Sequence, residues 1–421
     1  MARAYAHWPL CVAATLVLAA CAGPAPLSGA RPAATTVLTP SPQPRAAPLP
    51  SPPPLPPPAP LPSPEPLPPP ASLPPTTTSG PAAQIEPAPQ AVPTTPPVSR
   101  PTNDTIVLVL PLESPLYGHA AEAVRAGFLA AANAAGSGAR ARVVGHGDDG
   151  VLPAFSSAAD SGAALLVGPL TRDDLKTVLA FAMARPRTLA LNQPDDGSAL
   201  PDDAYALALS VESDAALLAR RARDDGARTI TAVTSDAPLQ RRFKAAFAAA
   251  WERAGGSTLR DYRFDTNPEV LGLLRRELSA RPADATLLCV AAGEAALVRS
   301  FLPPGRVYAS SQVADGLSTQ TLRDLEGVRY VEIPWLADPG GSAFARLPRA
   351  NFGDPVLERL YALGLDAFAI AELLASPIPP DRIEIDGATG HLSLMPTRVF
   401  ARDGRIMVIH DGQSALDTAT Q

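Results

Sequence analysis

Few residues in this 421-residue chain have the type and spacing that side-chain chemistry needs. The histidines, His7, His119, His146, His391 and His410, share no metal-ligand spacing with one another or with a cysteine, and HExxH is absent. Neither lysine, Lys176 or Lys244, has a serine three residues before it, so no SxxK nucleophile occurs, and neither does a GxSxG elbow. Gly145-His146-Gly147-Asp148-Asp149-Gly150 matches GxGxxG after an expected strand. Asp148 and Asp149 would repel a pyrophosphate at the following helix start, and Val167-Gly168 supplies no acidic residue at the next strand end. The motif therefore reads as a glycine-rich strand exit. Asp173-Asp174, Asp195-Asp196 and Asp202-Asp203 stand beside helix starts or in loops, where solvation and helix dipoles account for them. These residues call for no catalyst, no metal and no cofactor.

A net charge of -6 without a lysine-rich run argues against nucleic acid as a partner. Arg220, Arg221 and Arg223, like Arg241 and Arg242, read as the wet sides of helices. Cys289 lies in an apolar run, Thr286 to Val290, and reads as a small core hydrophobe.

The elements that would position any site begin with Thr105 to Ala135. Thr105 to Leu110 is apolar and rich in β-branched residues, as expected of a strand covered on both faces. Ser114-Pro115 offers a helix cap and a first-turn proline, with Val124, Phe128, Ala131 and Ala135 following at helical spacing. The intervening loop, Glu113 to Gly118, sits at the carboxyl end of a strand, where open α/β sheets bind ligands. Strands are then expected at Arg140 to Val144, Ala163 to Val167, Thr188 to Leu191, Thr229 to Thr234, Leu259 to Phe264, Ala285 to Val290, Arg306 to Ala309 and Val328 to Ile333. Helices are expected at Asp173 to Ala184, Ser213 to Asp225, Leu239 to Ala254, Glu269 to Ala280 and Pro355 to Leu374. Leu239, Phe243, Phe247 and Trp251 form a core stripe on the third of these. The alternation predicts parallel sheets with right-handed crossovers. A closing antiparallel signal covers Ile383 to Leu394 and Val399 to Ile409, with Asp403-Gly404 as its turn.

The first 101 residues are of another kind. Residues 1–20 read as a signal peptide, with Arg3 and His7 ahead of the apolar segment Trp8 to Ala20. Residues 21–101 hold 30 of the 51 prolines and read as a tether with polyproline II character. A flexible coil of that length averages ~50 Å and an extended form reaches ~250 Å.

Two resemblances follow from these residues. Leu18-Ala19-Ala20-Cys21 resembles the lipobox of bacterial lipoproteins, which implies lipid attachment at Cys21 and, with Ala22 next, an outer-membrane address facing the periplasm. The head, residues 102–421, resembles the penicillin-binding-protein activator lipoproteins of the LpoA type. The matching runs include VLPLESPLYGHAAEAVRAGF at 109–128, LLVGPLTRDDL at 165–175, LALNQP at 189–194, QRRFKAAFAAAWERAGG at 240–256, RVYASSQV at 306–313, LEGVRYVEIPWL at 325–336, RLYALGLDAF at 359–368 and GATGHLSL at 387–394.

That resemblance implies a two-lobed α/β fold of the type I periplasmic-binding-protein kind, each lobe a mostly parallel sheet flanked by helices. Lobe 1 would take about 102–209 and 335–377, and lobe 2 about 210–334 and 378–421. It also implies a protein partner, a class A penicillin-binding protein acting as peptidoglycan synthase, which this chain would stimulate without being a catalyst. Longer members carry an N-terminal helical-repeat domain where this chain has its tether. The other reading is a tethered receptor for an amino acid or cell-wall fragment. Its cleft would use Ser114, Thr171, Asn192 and Ser311 as hydrogen-bonding groups, with Gln193 beside them and Leu116, Tyr117, Pro169 and Leu170 as lining.

Overall fold

The computed structural model describes residues 104–181, 186–195 and 197–418. Cys21 and the tether lie outside them.

The first lobe is built from β1 (Ile106–Leu110), α1 (Gly118–Ala134), β2 (Ala141–Gly145), α2 (Val151–Asp160), β3 (Leu165–Val167), α3 (Arg172–Ala180), β4 (Thr188–Ala190) and β5 (Ala204–Ala206). Its strands form one sheet in the order β2-β1-β3-β4-β5, and every pairing is parallel. All five residues of β1 are buried, because helices cover both faces of the sheet.

The second lobe follows with α4 (Val211–Asp224), β6 (Ile230–Thr234), α5 (Pro238–Arg253), β7 (Arg260–Arg263), α6 (Pro268–Ala280), β8 (Ala285–Cys289), α7 (Ala292–Arg299), β9 (Arg306–Ala309), α8 (Thr319–Asp324) and β10 (Val328–Glu332). On α5 the stripe Phe243, Phe247 and Trp251 is buried as expected, while Leu239 is only partly so. The chain returns to the first lobe through α9 (Pro334–Ala337) and α10 (Pro355–Leu374). Helices α1 and α10 cross so closely that a Cβ on Gly364 would lie 2.1 Å from the Val124 carbonyl oxygen, and one on Gly127 2.0 Å from that of Tyr361.

Five short strands close the chain: β11 (Glu384–Asp386), β12 (His391–Leu394), β13 (Phe400–Asp403), β14 (Arg405–His410) and β15 (Gln413–Leu416). The first three make a small antiparallel sheet, and the last two extend the second lobe's sheet to β15-β14-β10-β9-β8-β6-β7.

Four expectations are corrected here. Asp403-Gly404 is not a hairpin turn, since β13 pairs with β12 and β14 with β10, so it hands the chain from one sheet to another. Residues 378–421 do not all join the second lobe, since Ile383, Leu392 and Phe400 pack with Phe128 and Phe368 in the first lobe's core. Ser114-Pro115 does not open α1. Ser114 accepts from the N–H groups of Tyr117 and Gly118, which makes a turn ahead of the helix. Arg221 is buried, at 7% exposure, and pairs with Asp225 and Asp417, while Arg223 stands over the Trp251 ring.

Candidate cleft between the lobes

The carboxyl ends of β1, β3 and β4 converge on one side of the first lobe, as parallel strands of one sheet must. At the exit of β3, Gly168 has a φ of +110°, and a Cβ there would meet the Val109 carbonyl oxygen at 2.3 Å. Only glycine fits this approach. Pro169 follows through a cis peptide bond and is buried, its carbonyl accepting from the Leu191 N–H. Thr171 then caps α3: its Oγ1 accepts from the Asp174 N–H at 3.1 Å and donates to the Asp174 carboxylate at 2.7 Å.

A hollow of about 500 Å³ opens at this convergence. It brings together Tyr117, Leu170, Thr171 and Asn192 of the expected set, and adds Leu191, Leu209, Leu360 and Leu363. Gln193 lines an adjoining hollow with Glu212 of α4, and its Nε2 donates to Ser210 Oγ across 3.4 Å. Ser114 lines a different hollow with His119 and Arg125, and Ser311 starts a short 3-10 helix in the second lobe and lines none of these hollows.

Arg172, outside the expected set, lines this hollow, and Arg242, expected on the wet side of its helix, stands near it. Arg172 donates to Asn192 Oδ1 at 3.1 Å and pairs with Asp195. Burial, and then the like charge of Arg242, pulls its guanidinium below the ordinary value. Arg242 of α5 holds Glu212 at 2.6 Å. Burial opposes the charge on Glu212, but hydrogen bonds from Arg242 and Ser210 outweigh it and keep its pKa low. Position alone could have flagged Arg172, the residue after the Thr171 cap.

Beside the cleft, largely buried ion pairs tie the lobes. Arg359 of α10 holds Glu332 and Asp315 of the second lobe. Arg402 of β13 donates to the Thr389 carbonyl at 3.0 Å and pairs with Asp214 of α4. Burial raises the Asp214 pKa against that pairing.

Elsewhere the chemistry stays structural. Gly147 N–H donates to Asp149 Oδ1 at 3.0 Å, so an internal carboxylate takes a donor that a pyrophosphate would need. Cys289 is fully buried, and burial pushes its thiol pKa up. Among the described residues one group of metal-ligating type comes together, Glu326, His410 and Asp411, all exposed. His410 Nδ1 lies 2.6 Å from Glu326, a contact that raises the His410 pKa, and the Asp411 N–H donates to the other Glu326 oxygen. No described helix is long and apolar enough to cross a membrane.

Two α/β lobes with the chain crossing between them, and a cleft at the strand ends, define a periplasmic-binding-protein-like fold. Comparison with known proteins narrows this. The family model described as LppC putative lipoprotein matches residues 78–275 and 269–407, and the chain belongs to that family. It is similar to the penicillin-binding protein activator LpoA of Escherichia coli K12, with 26% identity over 304 residues covering 62% of this chain and 44% of that protein. Against LpoA of Edwardsiella piscicida the identity is 28% over 295 residues, covering 60% and 42%. The chain thus spans less than half the length of these curated relatives.

Among solved structures it is similar to the C-domain of LpoA (YraM) from Haemophilus influenzae, described as a regulator of PBP1A. The TM-score is 0.64 and the identity 23%, covering 74% of this chain and 99% of that one. It is also similar to a putative branched-chain amino acid ABC transporter from Chromobacterium violaceum, with a TM-score of 0.63 and 33% identity, covering 72% and 99%.

Proposed function

We propose that this chain is an outer-membrane lipoprotein, anchored through Cys21, whose head binds and stimulates a class A penicillin-binding protein in the periplasm as a protein partner without catalysing a reaction itself. The tether of residues 21–101 gives the head the reach that such a partner requires. The observation that carries the reading is the match of the lipoprotein family model over residues 78–275 and 269–407, together with 26% identity to LpoA of Escherichia coli K12 over 304 residues. The geometry agrees with it. Thr171, Arg172, Asn192 and Arg242 at the cleft are engaged by neighbouring side chains, and largely buried ion pairs tie the lobes, which suits a presenting surface better than a closing receptor.

The similarity to the Chromobacterium violaceum structure favours a second reading, a receptor for an amino acid or cell-wall fragment. Binding separates the two. The full-length chain in detergent, immobilised and exposed to the purified class A synthase of its own source, should retain the synthase. If it retains none while free amino acids raise its melting temperature, the receptor reading replaces the activator reading.

A further inference from the structure

The cleft mouth joins an apolar hollow to polar groups that already have partners. Thr171 is engaged by Asp174, Arg172 by Asn192 and Asp195, Asn192 Nδ2 by the Leu170 carbonyl, and Arg242 by Glu212. A small zwitterionic solute needs convergent unpaired donors and acceptors. To bind here it would have to break these pairs and leave partly buried groups unsatisfied.

The apolar side is different in kind. Tyr117, Leu170, Leu191, Leu209, Leu360 and Leu363 wall the hollow. Its lip is open to water: Tyr117 is 41% exposed and the adjoining Leu116 76%. Val356, one helical turn before Leu360 on the same face of α10, is 47% exposed. Large aliphatic side chains left this open beside an apolar hollow mark a surface that a partner covers. Asp173, in the first turn of α3 where the helix N-terminus offsets its charge, also lines the hollow and is exposed, so it is open to a basic residue of the partner.

We infer that this mouth is the slot by which the head engages its protein partner. It takes a large apolar side chain from a protruding segment, and a basic residue next to that side chain pairs with Asp173. The inference rests on the activator reading and names the surface that reading leaves open. Buried apolar anchors carry most of the affinity of such contacts, and a rim charge sets partner choice and salt dependence.

The test is the affinity of the full-length chain for the purified synthase, measured for wild type, Leu116→Asp, Val356→Asp and Asp173→Lys. A control variant, Leu273→Asp, alters a residue of α6 in the second lobe that is 56% exposed. Melting temperatures verify folding, which substitutions at exposed positions should leave intact. The expected result is at least a tenfold loss of affinity for Leu116→Asp and Val356→Asp and an unchanged control. Asp173→Lys should bind more weakly at low salt and with a flatter salt dependence. Equal affinity for wild type and all three cleft variants would overturn the slot while leaving the activator reading standing. No binding by wild type would overturn the activator reading itself. Conversion of a dimer to a monomer by Leu116→Asp would give the slot to a second copy of the chain. Stabilisation of wild type by free amino acids, lost in Leu116→Asp, would give it to a solute. Either result would overturn the inference.

Discussion

Arg359 holds Glu332 by two parallel bonds, Nε to Oε1 at 3.0 Å and Nη2 to Oε2 at 2.6 Å, and turns Nη1 to Asp315 at 2.9 Å. The guanidinium belongs to α10 in the first lobe and both carboxylates to the second. Burial works against the charge of Arg359, yet the two carboxylates outweigh it and hold its pKa above the ordinary value. Removing it should leave two acids facing one another with little water. Arg359→Met is therefore expected to destabilise the protein by about 3–5 kcal/mol, the usual consequence of breaking a buried pair from one side. Urea denaturation measures the loss, and hydrogen exchange should show new opening at α10 and the end of β10. Arg359→Lys should recover part of the stability, since lysine keeps the charge but not the fork.

Asp366 is the second buried charge on α10. Its carboxylate accepts from the N–H groups of Ala388 and Thr389, each at 2.7 Å, and from Thr389 Oγ1 at 2.5 Å. Asparagine has the same shape but turns a donor towards one of these donors. Asp366→Asn should destabilise by about 1–3 kcal/mol, read as a lower urea midpoint.

The same residue sets an expectation for pH. Burial raises the Asp366 pKa to about 6 from an ordinary 3.8, against the bonds from Thr389 and Ala388. The native state therefore takes up this proton before the unfolded state does. The contribution is fully present below the unfolded value and is lost as pH rises through about 6. Wild type should gain stability from Asp366 between pH 7 and pH 5, and Asp366→Asn should lack that increment. Paired urea titrations at the two pH values measure the difference.

Gly364 offers a test with a sign opposite to the usual one. Glycine to alanine in an exposed helix ordinarily stabilises by about 1 kcal/mol. Here the new methyl group would lie 2.1 Å from the Val124 carbonyl oxygen and force α1 and α10 apart. Gly364→Ala should cost about 1–3 kcal/mol instead, read as a lower melting temperature.

The sequence made the first lobe's framework legible because β1 is continuously apolar and α1 and α10 keep a helical period. It hid α2, whose Val151, Ala154, Phe155 and Ala158 are buried, because Pro153 reads as a breaker, although in a first turn it removes no needed donor. That Tyr117, Leu170, Thr171 and Asn192 meet at one hollow was legible because the carboxyl ends of parallel strands converge. Ser114 was misleading, since a local turn takes its hydroxyl. The ties between the lobes were not legible at all. Arg359 meets its acids across 27 and 44 residues of sequence, and Arg402 meets Asp214 across 188. Which lobe receives Ile383, Leu392 and Phe400 is likewise decided by packing and not by their alternation.

Stimulation of the synthase by this chain is read from the rate of glycan polymerisation by the purified class A synthase, with and without the full-length chain in the same detergent. A faster rate is expected, saturating at the concentration where binding saturates, with Leu116→Asp requiring at least ten times more protein for the same effect. An unchanged rate at saturating, folded wild-type chain would contradict it.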